Sequence, residues 1–126
     1  MAAQNQEAKK RMTVLQTQEQ LEELLRRGEY KNAQVSPFVV IYFTADWCGA
    51  CRRLNLNQIL NEFPRARWFI CDVDENNYSA GFCGVRSIPS FMIIAHGTPS
   101  QLFTNSDTQS VINWLHANQS QIQGLH

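Results

Sequence analysis

The chain has 126 residues, of which 44% are hydrophobic and 17% are charged, a composition typical of one soluble globular domain with a sizeable core. Its formal net charge is +0, so charge gives no reason to expect nucleic acid or an anionic membrane as a partner. No apolar run approaches transmembrane length, and the N-terminal residues lack the apolar core of a secretory signal.

The first residues are polar, rich in Gln and Asn, and contain a basic cluster at residues 9–11. This composition predicts a mobile tail over residues 1–12, followed by a folded domain over residues 13–121. The basic cluster is also compatible with a localisation signal or a lipid contact, although a solvated terminus is the simpler interpretation.

The domain is predicted to begin with a short edge strand near residues 12–15 and then a helix. Thr17 is a suitable N-cap for this helix, and Gln20, three residues later, completes a capping box. Gly28 predicts the end of the helix, and residues 29–36 are predicted to form a loop.

A pair of cysteines lies between a predicted strand and a predicted helix. Residues 38–43 are apolar throughout, which indicates a buried central strand with helices on both faces of its sheet. Residues 52–63 have the apolar spacing of a helix, and Pro64 ends it. The segment 48–51, Cys-Gly-Ala-Cys, is therefore expected where a strand ends and a helix begins.

The remaining chain predicts another strand, a hairpin and a final helix. Residues 68–73 are expected to form the strand, followed by a short helix or turn. Residues 91–95 and 101–104 are expected to pair as an antiparallel hairpin, and Asp107 to cap the last helix. Strands that first alternate with helices and then form a hairpin predict an α/β fold, with a central mixed sheet flanked by helices on both faces.

Two cysteines separated by two residues at a helix start can close into a disulfide and reopen. The unpaired N–H groups of a helix N-terminus favour a thiolate, which is the nucleophile in disulfide exchange. Cys48 is nearer the helix end and is the predicted attacking cysteine, with Cys51 as the resolving one. The same spacing also occurs in half of a zinc site or between two ordinary buried cysteines. Zinc is disfavoured, because no second such pair exists and no His lies near the first.

Three segments resemble the thioredoxin family. Residues 42–51 (Tyr-Phe-Thr-Ala-Asp-Trp-Cys-Gly-Ala-Cys) resemble its active-site segment, whose usual form is Trp-Cys-Gly-Pro-Cys. Residues 72–76 resemble the end of its third strand, and residues 83–91 resemble the segment that carries its cis-proline. The three occur in the family's order and at its spacing, and the resemblance extends over residues 14–120.

The resemblance implies the thioredoxin fold and a set of site residues. Cys48 and Cys51 would be the catalytic pair, forming a redox-active disulfide without a bound cofactor or metal. The implied substrate-binding surface consists of Trp47, Gly49, Ala50, Ile88 and Pro89. The bond between Ile88 and Pro89 is predicted to be cis, and the backbone beside it would hydrogen-bond an extended client strand. Trp47 would cover the site as an exposed aromatic side chain.

Several positions depart from the family pattern, and these departures should affect the acidity of Cys48, the resolving step and the reduction potential of the pair. The family usually has a buried aspartate, thought to relay protons, at the position of Tyr42, and bacterial members have a lysine at that of Ile70. A neutral phenol leads us to expect a more acidic Cys48 and a less assisted resolving step. Ala50 replaces the usual proline, which suggests a more oxidising couple. Arg52 either helps to hold the thiolate or is a plain solvated charge.

Other positions give weaker expectations. Leu56 replaces a proline that usually kinks the active-site helix, so a straighter helix is expected. Cys71 is expected to be inert core, and Cys83 to be either open to oxidation or dimer formation, or a small buried residue. These cysteines do not resemble a disulfide framework, which favours a reducing compartment, most simply the cytoplasm.

The expected function is that of a thioredoxin-type protein disulfide reductase, acting as a monomer on client proteins with disulfides. The resemblance implies electrons from thioredoxin reductase or another NADPH-linked donor. One alternative is a specialised exchanger similar to tryparedoxins and nucleoredoxins, which share Tyr42 and Arg52 but usually carry Pro-Pro between the cysteines and have a longer chain. Another is a non-catalytic adaptor with the same fold, against which the retained cysteines, Trp47 and Pro89 argue.

Overall fold

The computed structural model describes residues 2–25 and 38–124, and the predicted helix end at Gly28 and loop 29–36 lie outside them. The helices are α1 (Ala2–Lys9), α2 (Gln18–Leu24), α3 (Leu56–Glu62), α4 (Asn77–Phe82) and α5 (Thr108–Gly124). The strands are β1 (Thr13–Val14), β2 (Phe38–Thr44), β3 (Arg67–Asp72), β4 (Ser90–Ala95), β5 (Thr98–Pro99) and β6 (Phe103–Thr104). Within the described ranges, no helix is both long enough and apolar enough to span a bilayer.

The strand β2 is central in a mixed sheet of the order β1-β3-β2-β4-β5, with β6 also paired to β4. It pairs in parallel with β3 and antiparallel with β4, while β1 pairs in parallel with β3. All seven residues of β2 are buried, because strands lie along both of its edges and helices cover both faces. The predicted α/β fold, a mixed sheet between helices, is confirmed.

Alternate residues of β2 divide the core into two layers, as the period of two in a strand requires. Val40 and Tyr42 lie in the layer that also contains side chains of α1, α3 and α5. Ile41 and Phe43 lie in the other layer, with side chains of α2 and α4. Tyr42 therefore occupies the same layer as the helix that follows the cysteines.

The N-terminal segment forms a helix, so the prediction of a mobile tail is wrong for Ala2–Lys9. Ala8 is fully buried and Asn5 is 6% exposed. The Asn5 side-chain oxygen accepts a hydrogen bond of 3.1 Å from the N–H of Leu56. Asn5 and Ala8 are three residues apart and share a helical face, a signal that the polar composition of the segment obscured.

The capping box predicted at the start of α2 is confirmed. The Gln20 N–H donates to Thr17 Oγ1 at 3.2 Å, and the Thr17 N–H donates to Gln20 Oε1 at 3.1 Å. The predicted antiparallel pairing of β4 with residues 101–104 is confirmed at β6, and a second short strand, β5, also pairs with β4. The two short strands are separated because Ser100 turns its hydroxyl to the edge of β4, where it accepts the Ile93 N–H at 2.9 Å.

The segment after the cysteines is interrupted, so the expected straight helix is wrong. A short 3₁₀ helix, Cys51–Arg53, is followed by Leu54 with extended backbone angles, φ −72° and ψ 142°. The helix α3 then begins, and Asn55 caps it by accepting the Gln58 N–H at 3.1 Å. Leu54 and Leu56 are both fully buried although they are two positions apart, an arrangement that one straight helix cannot provide.

Candidate active site

Cys48 and Cys51 are joined by a disulfide in the turn after β2, with their Cα atoms 5.3 Å apart. The Cys51 N–H donates to Cys48 Sγ at 3.1 Å. Such a hydrogen bond favours the Cys48 thiolate when the pair is reduced. Only the three-residue 3₁₀ helix follows directly, so this local N–H takes the place of the long-helix dipole that the sequence indicated.

Trp47 lies beside the pair and is 66% exposed, as predicted. Its indole Nε1–H donates to Asp74 Oδ2 at 2.7 Å, across 27 positions of sequence. The loop after β3 that carries Asp74 is itself ordered by Asp72, whose Oδ1 accepts the Asp74 N–H at 2.9 Å. Asp74 was not predicted as a site residue, although residues 72–76 were part of the family resemblance.

The peptide bond between Ile88 and Pro89 is cis, as predicted. The Ile88 carbonyl oxygen lies 3.8 Å from Cys48 Sγ, so this segment forms one side of the site. Behind it, the Pro89 carbonyl accepts the Asn105 N–H at 3.3 Å. Buried Ser90 bonds to Thr104 through their hydroxyls at 2.6 Å. These contacts anchor the segment to the edge formed by β6.

The rim of the site is formed by Gly49, Ala50 and Arg52. Gly49 is exposed, and a Cβ atom at its position would have no neighbour within 4 Å. Ala50 is half-buried with φ −63°, a value that proline also adopts. The exposed Arg52 guanidinium donates to the backbone oxygen of Asp46 at 3.0 Å, and this hydrogen bond stabilises the turn before the cysteines.

Tyr42 is buried in β2 and its ring stacks on Phe91, with the ring centroids 5.1 Å apart. Burial raises the pKa of its hydroxyl above the usual value, and the nearby Thr44 side chain lowers it by a smaller amount. Tyr42 is therefore neutral at physiological pH. Its register partner in β3 is Ile70, so the positions of the family's usual aspartate and of the lysine in bacterial members both carry uncharged side chains here.

A cavity of about 360 Å³ adjoins the disulfide. Its wall combines the end of β2, the cysteine turn and helix α1, through Asn5, Gln6 and Lys9. The hydroxyl oxygen of Thr44, also in the wall, is buried near the Tyr42 hydroxyl, and among the described residues it makes no hydrogen bond of good geometry. The residues of α1 that lie here were not predicted as site residues, because residues 1–12 were expected to form a tail.

The two remaining cysteines are free thiols away from the pair. Cys71 is fully buried in β3, and burial is the largest cause that raises its pKa to about 12. Cys83 is half-buried at the end of α4, and burial raises its pKa to about 11. Both thiols are protonated at neutral pH, which favours the inert interpretation of each. Within residues 2–25 and 38–124, no group of three or more His, Cys, Asp or Glu side chains is arranged to hold a metal ion.

The chain matches the family model Thioredoxin over residues 15–117. Thioredoxin H-type from Fagopyrum esculentum is 38% identical over 61 residues, which cover 47% of this chain and 53% of that protein. Thioredoxin-3 from Dictyostelium discoideum is 29% identical over 82 residues, which cover 64% and 79%. Among several of these relatives, the matched part spans about half of their length.

Solved structures of thioredoxins have the same fold as this chain. Mitochondrial thioredoxin 3 from Saccharomyces cerevisiae, in its oxidized form, superposes with a TM-score of 0.73 at 22% identity, covering 87% of this chain and 98% of the other. Thioredoxin from Fasciola hepatica gives 0.70 at 26% identity, covering 84% and 98%. With a family match over most of the chain, this fold and a cysteine pair that forms a disulfide, the chain belongs to the thioredoxin family.

Proposed function

We propose that this protein is a thioredoxin-type protein disulfide oxidoreductase that reduces disulfides in client proteins. The observation that carries the proposal is the position of Cys48. It is bonded to Cys51, accepts the Cys51 N–H, and has its sulfur 3.8 Å from the carbonyl of Ile88. A disulfide that can reopen, beside the half-buried Ile88 backbone, is an arrangement suited to exchange with a client disulfide.

The reaction would begin with the reduced pair. The Cys48 thiolate attacks a client disulfide, forms a mixed disulfide and releases one client thiolate, which takes a proton from solvent. Cys51 loses its proton and attacks Cys48 Sγ. The bond between Cys48 and the client breaks, and the second client thiolate leaves. Two electrons pass to the client, and a donor must then restore both thiols.

Client binding would use the surface around the pair. Exposed Trp47, held by Asp74, supplies an apolar face, and the surface at Gly49 is open, since a Cβ atom there would have no neighbour within 4 Å. The backbone at Ile88, next to Pro89, would hydrogen-bond an extended client segment by strand addition. Recognition through main-chain groups would accept many client sequences, because it depends little on their side chains.

The electron donor would be thioredoxin reductase or another NADPH-linked dithiol system, and the protein would act as a monomer in the cytoplasm. The free thiols Cys71 and Cys83 support a reducing compartment. Rapid alkylation of thiols in intact cells, followed by mass spectrometry, tests the compartment, since oxidised Cys71 or Cys83 would argue against it. Light scattering of the purified protein tests the oligomeric state.

Insulin reduction driven by dithiothreitol tests the activity. The wild-type protein should accelerate insulin precipitation and Cys48→Ser should not, while Cys51→Ser should accumulate a mixed disulfide. No acceleration over dithiothreitol alone would leave the adaptor as the function. Reduction by thioredoxin reductase and NADPH, compared with reduction by glutathione, separates a general reductant from a specialised exchanger.

A further inference from the structure

The cavity beside the disulfide brings helix α1 into the redox centre. Lys9, in α1, lines it together with both cysteines. Lys9 is half-buried, and within the described part of the chain it has no ion-pair partner. Its neighbour Lys10 is exposed and pairs with Glu7 at 3.3 Å. The two lysines of α1 therefore have different surroundings, and only Lys9 lines the cavity.

No net negative charge in the cavity wall offsets the positive charge of Lys9. The titratable or charged side chains of the wall are Lys9, Tyr42, Asp46, Cys48, Cys51 and Arg52. Asp46 and Arg52 are exposed and opposite in sign, so solvent screens them and they largely offset each other. Tyr42 is neutral at neutral pH, as a phenol normally is, and burial raises its pKa further. Among the residues that line the cavity, Lys9 thus carries the net positive charge.

The wall also contains the Thr44 hydroxyl, whose hydrogen bonding is incomplete. Thr44 Oγ1 is buried, with the residue 3% exposed, and lies near the Tyr42 hydroxyl, but within the described residues no hydrogen bond of good geometry satisfies it. Buried hydroxyl groups normally have a well-made hydrogen bond, and water in the adjoining cavity can supply one to Thr44. The same cavity is lined by the resolving cysteine, Cys51. Tyr42 cannot accept the proton of Cys51 in place of this water, because the phenol holds its own proton at neutral pH.

We propose that α1 is part of the redox machinery, with the Lys9 ammonium group stabilising the Cys51 thiolate and the cavity supplying the water that takes its proton. The inference rests on the proposed disulfide exchange and concerns its second step. Cys51 transfers its proton to cavity water and thence to solvent. Its thiolate forms the bond to Cys48 Sγ while the bond between Cys48 and the client breaks. Lys9 acts through Cys51 and is a positioning residue, not a catalytic one.

The first experiment needs no client. In a Cys48→Ser background, the Cys51 thiol is titrated by the 13Cβ chemical shift of labelled cysteine. Lys9→Gln should raise the Cys51 pKa by about half a unit or more, and Lys9→Arg should restore the original value. Lys10→Gln, which removes the same charge from the same helix, is the matched control. Lys9→Met removes the charge but keeps an apolar stem, and it replaces Lys9→Gln if that variant does not fold.

The second experiment follows the resolving step itself. A dithiobis-nitrobenzoate disulfide releases one coloured thiolate when Cys48 attacks and a second when Cys51 resolves the mixed disulfide. Lys9→Gln should slow the second release about threefold at neutral pH and shift its pH profile upward, without slowing the first. Lys10→Gln should change neither release.

Unchanged Cys51 titration and resolving rate in Lys9→Gln would overturn the inference. An equal shift in Lys10→Gln would also overturn it, because a general charge effect would then explain both. Failure of the proposed function is a separate outcome. It would appear as a wild-type protein that does not reduce insulin, whereas the Cys51 titration would still report on Lys9.

Discussion

The backbone N–H of Leu56 donates a 3.1 Å hydrogen bond to the side-chain oxygen of Asn5, 51 positions earlier in the chain. Leu56 is the first residue of α3, where N–H groups lack partners within their own helix. Both residues are buried, so water cannot satisfy this N–H. The bond therefore attaches the N-terminal helix to the helix that follows the cysteines, and it holds the residues of α1 beside the redox pair.

Removal of this acceptor should destabilise the protein. Asn5→Ala leaves the buried Leu56 N–H unpaired and should lower the free energy of unfolding by about 1–3 kcal/mol. Chemical denaturation of the variant measures the loss. Gln6→Ala, at an exposed position of the same helix, is the control and should change the free energy by less than about 0.5 kcal/mol. Equal losses for the two variants would mean that the hydrogen bond is not the cause.

The contact between Trp47 and Asp74 should matter for activity more than for stability. Asp74→Ala removes the acceptor that holds the exposed indole, so the rate of insulin reduction should fall several-fold. Both side chains are exposed, and the free energy of unfolding should change by less than about 0.5 kcal/mol. Asp74→Asn retains an acceptor and should recover most of the rate. An unchanged rate in Asp74→Ala would show that clients do not depend on a fixed Trp47.

A carboxylate at position 42 should make Cys48 less acidic. Tyr42→Asp places a negative charge beside the pair, which disfavours the thiolate and raises the pKa of Cys48. The first attack on a client disulfide should then slow at pH values below that pKa. Tyr42→Phe keeps the ring that stacks on Phe91 without the hydroxyl, and it should leave the Cys48 pKa unchanged. Thiolate absorbance of the reduced variants against pH provides the measurement, and an unchanged Cys48 pKa in Tyr42→Asp would contradict the argument.

Proline at position 50 should make the couple more reducing. Ala50 already has φ −63°, so Ala50→Pro fits the backbone at this residue and removes an N–H that can favour the thiolate. We expect the reduction potential of the pair to fall by on the order of 30 mV, a tenfold change in the equilibrium. Equilibration with glutathione, with Cys51→Ser as the control that cannot form the disulfide, measures it. A rise in the potential would contradict the expectation.

Stability should decrease in alkaline solution because of Cys83. An exposed cysteine thiol, as in the unfolded chain, ionises with a pKa of 9.0, and burial raises the pKa of Cys83 to about 11 in the folded protein. Below pH 9.0 both states are protonated and Cys83 has no effect. As the pH rises from there through about 11, the unfolded state loses a proton that the folded state keeps, so the free energy of unfolding falls.

The substitution Cys83→Ala isolates this effect. Denaturation of the reduced proteins at increasing pH should show a shallower alkaline decline in the variant than in the wild type. Some decline should remain, because burial also raises the pKa of Cys71, to about 12. Identical slopes in both proteins would mean that Cys83 ionises equally in the folded and unfolded states.

Local pattern in the sequence was enough for much of the fold and the exposed part of the site. The apolar run of β2, the capping box of α2 and the cis bond before Pro89 were all predicted, and the structure contains them. Each is encoded within a few neighbouring residues, as a hydrophobic period, a side chain that bonds its own helix start, or a short family motif. The same holds for the cysteine pair and for the exposure of Trp47.

Only the tertiary structure decided which distant groups meet. The polar composition of residues 1–12 predicted no order, yet α1 packs on α3 because Asn5 finds the unpaired N–H of Leu56. The break at Leu54 arises because two leucines of unsuitable helical spacing both enter the core. Such contacts depend on which surfaces become neighbours and on the cost of leaving a buried polar group unpaired. No single segment of sequence contains that information, and for this reason the cavity that joins Lys9 to the cysteines appeared only in the folded chain.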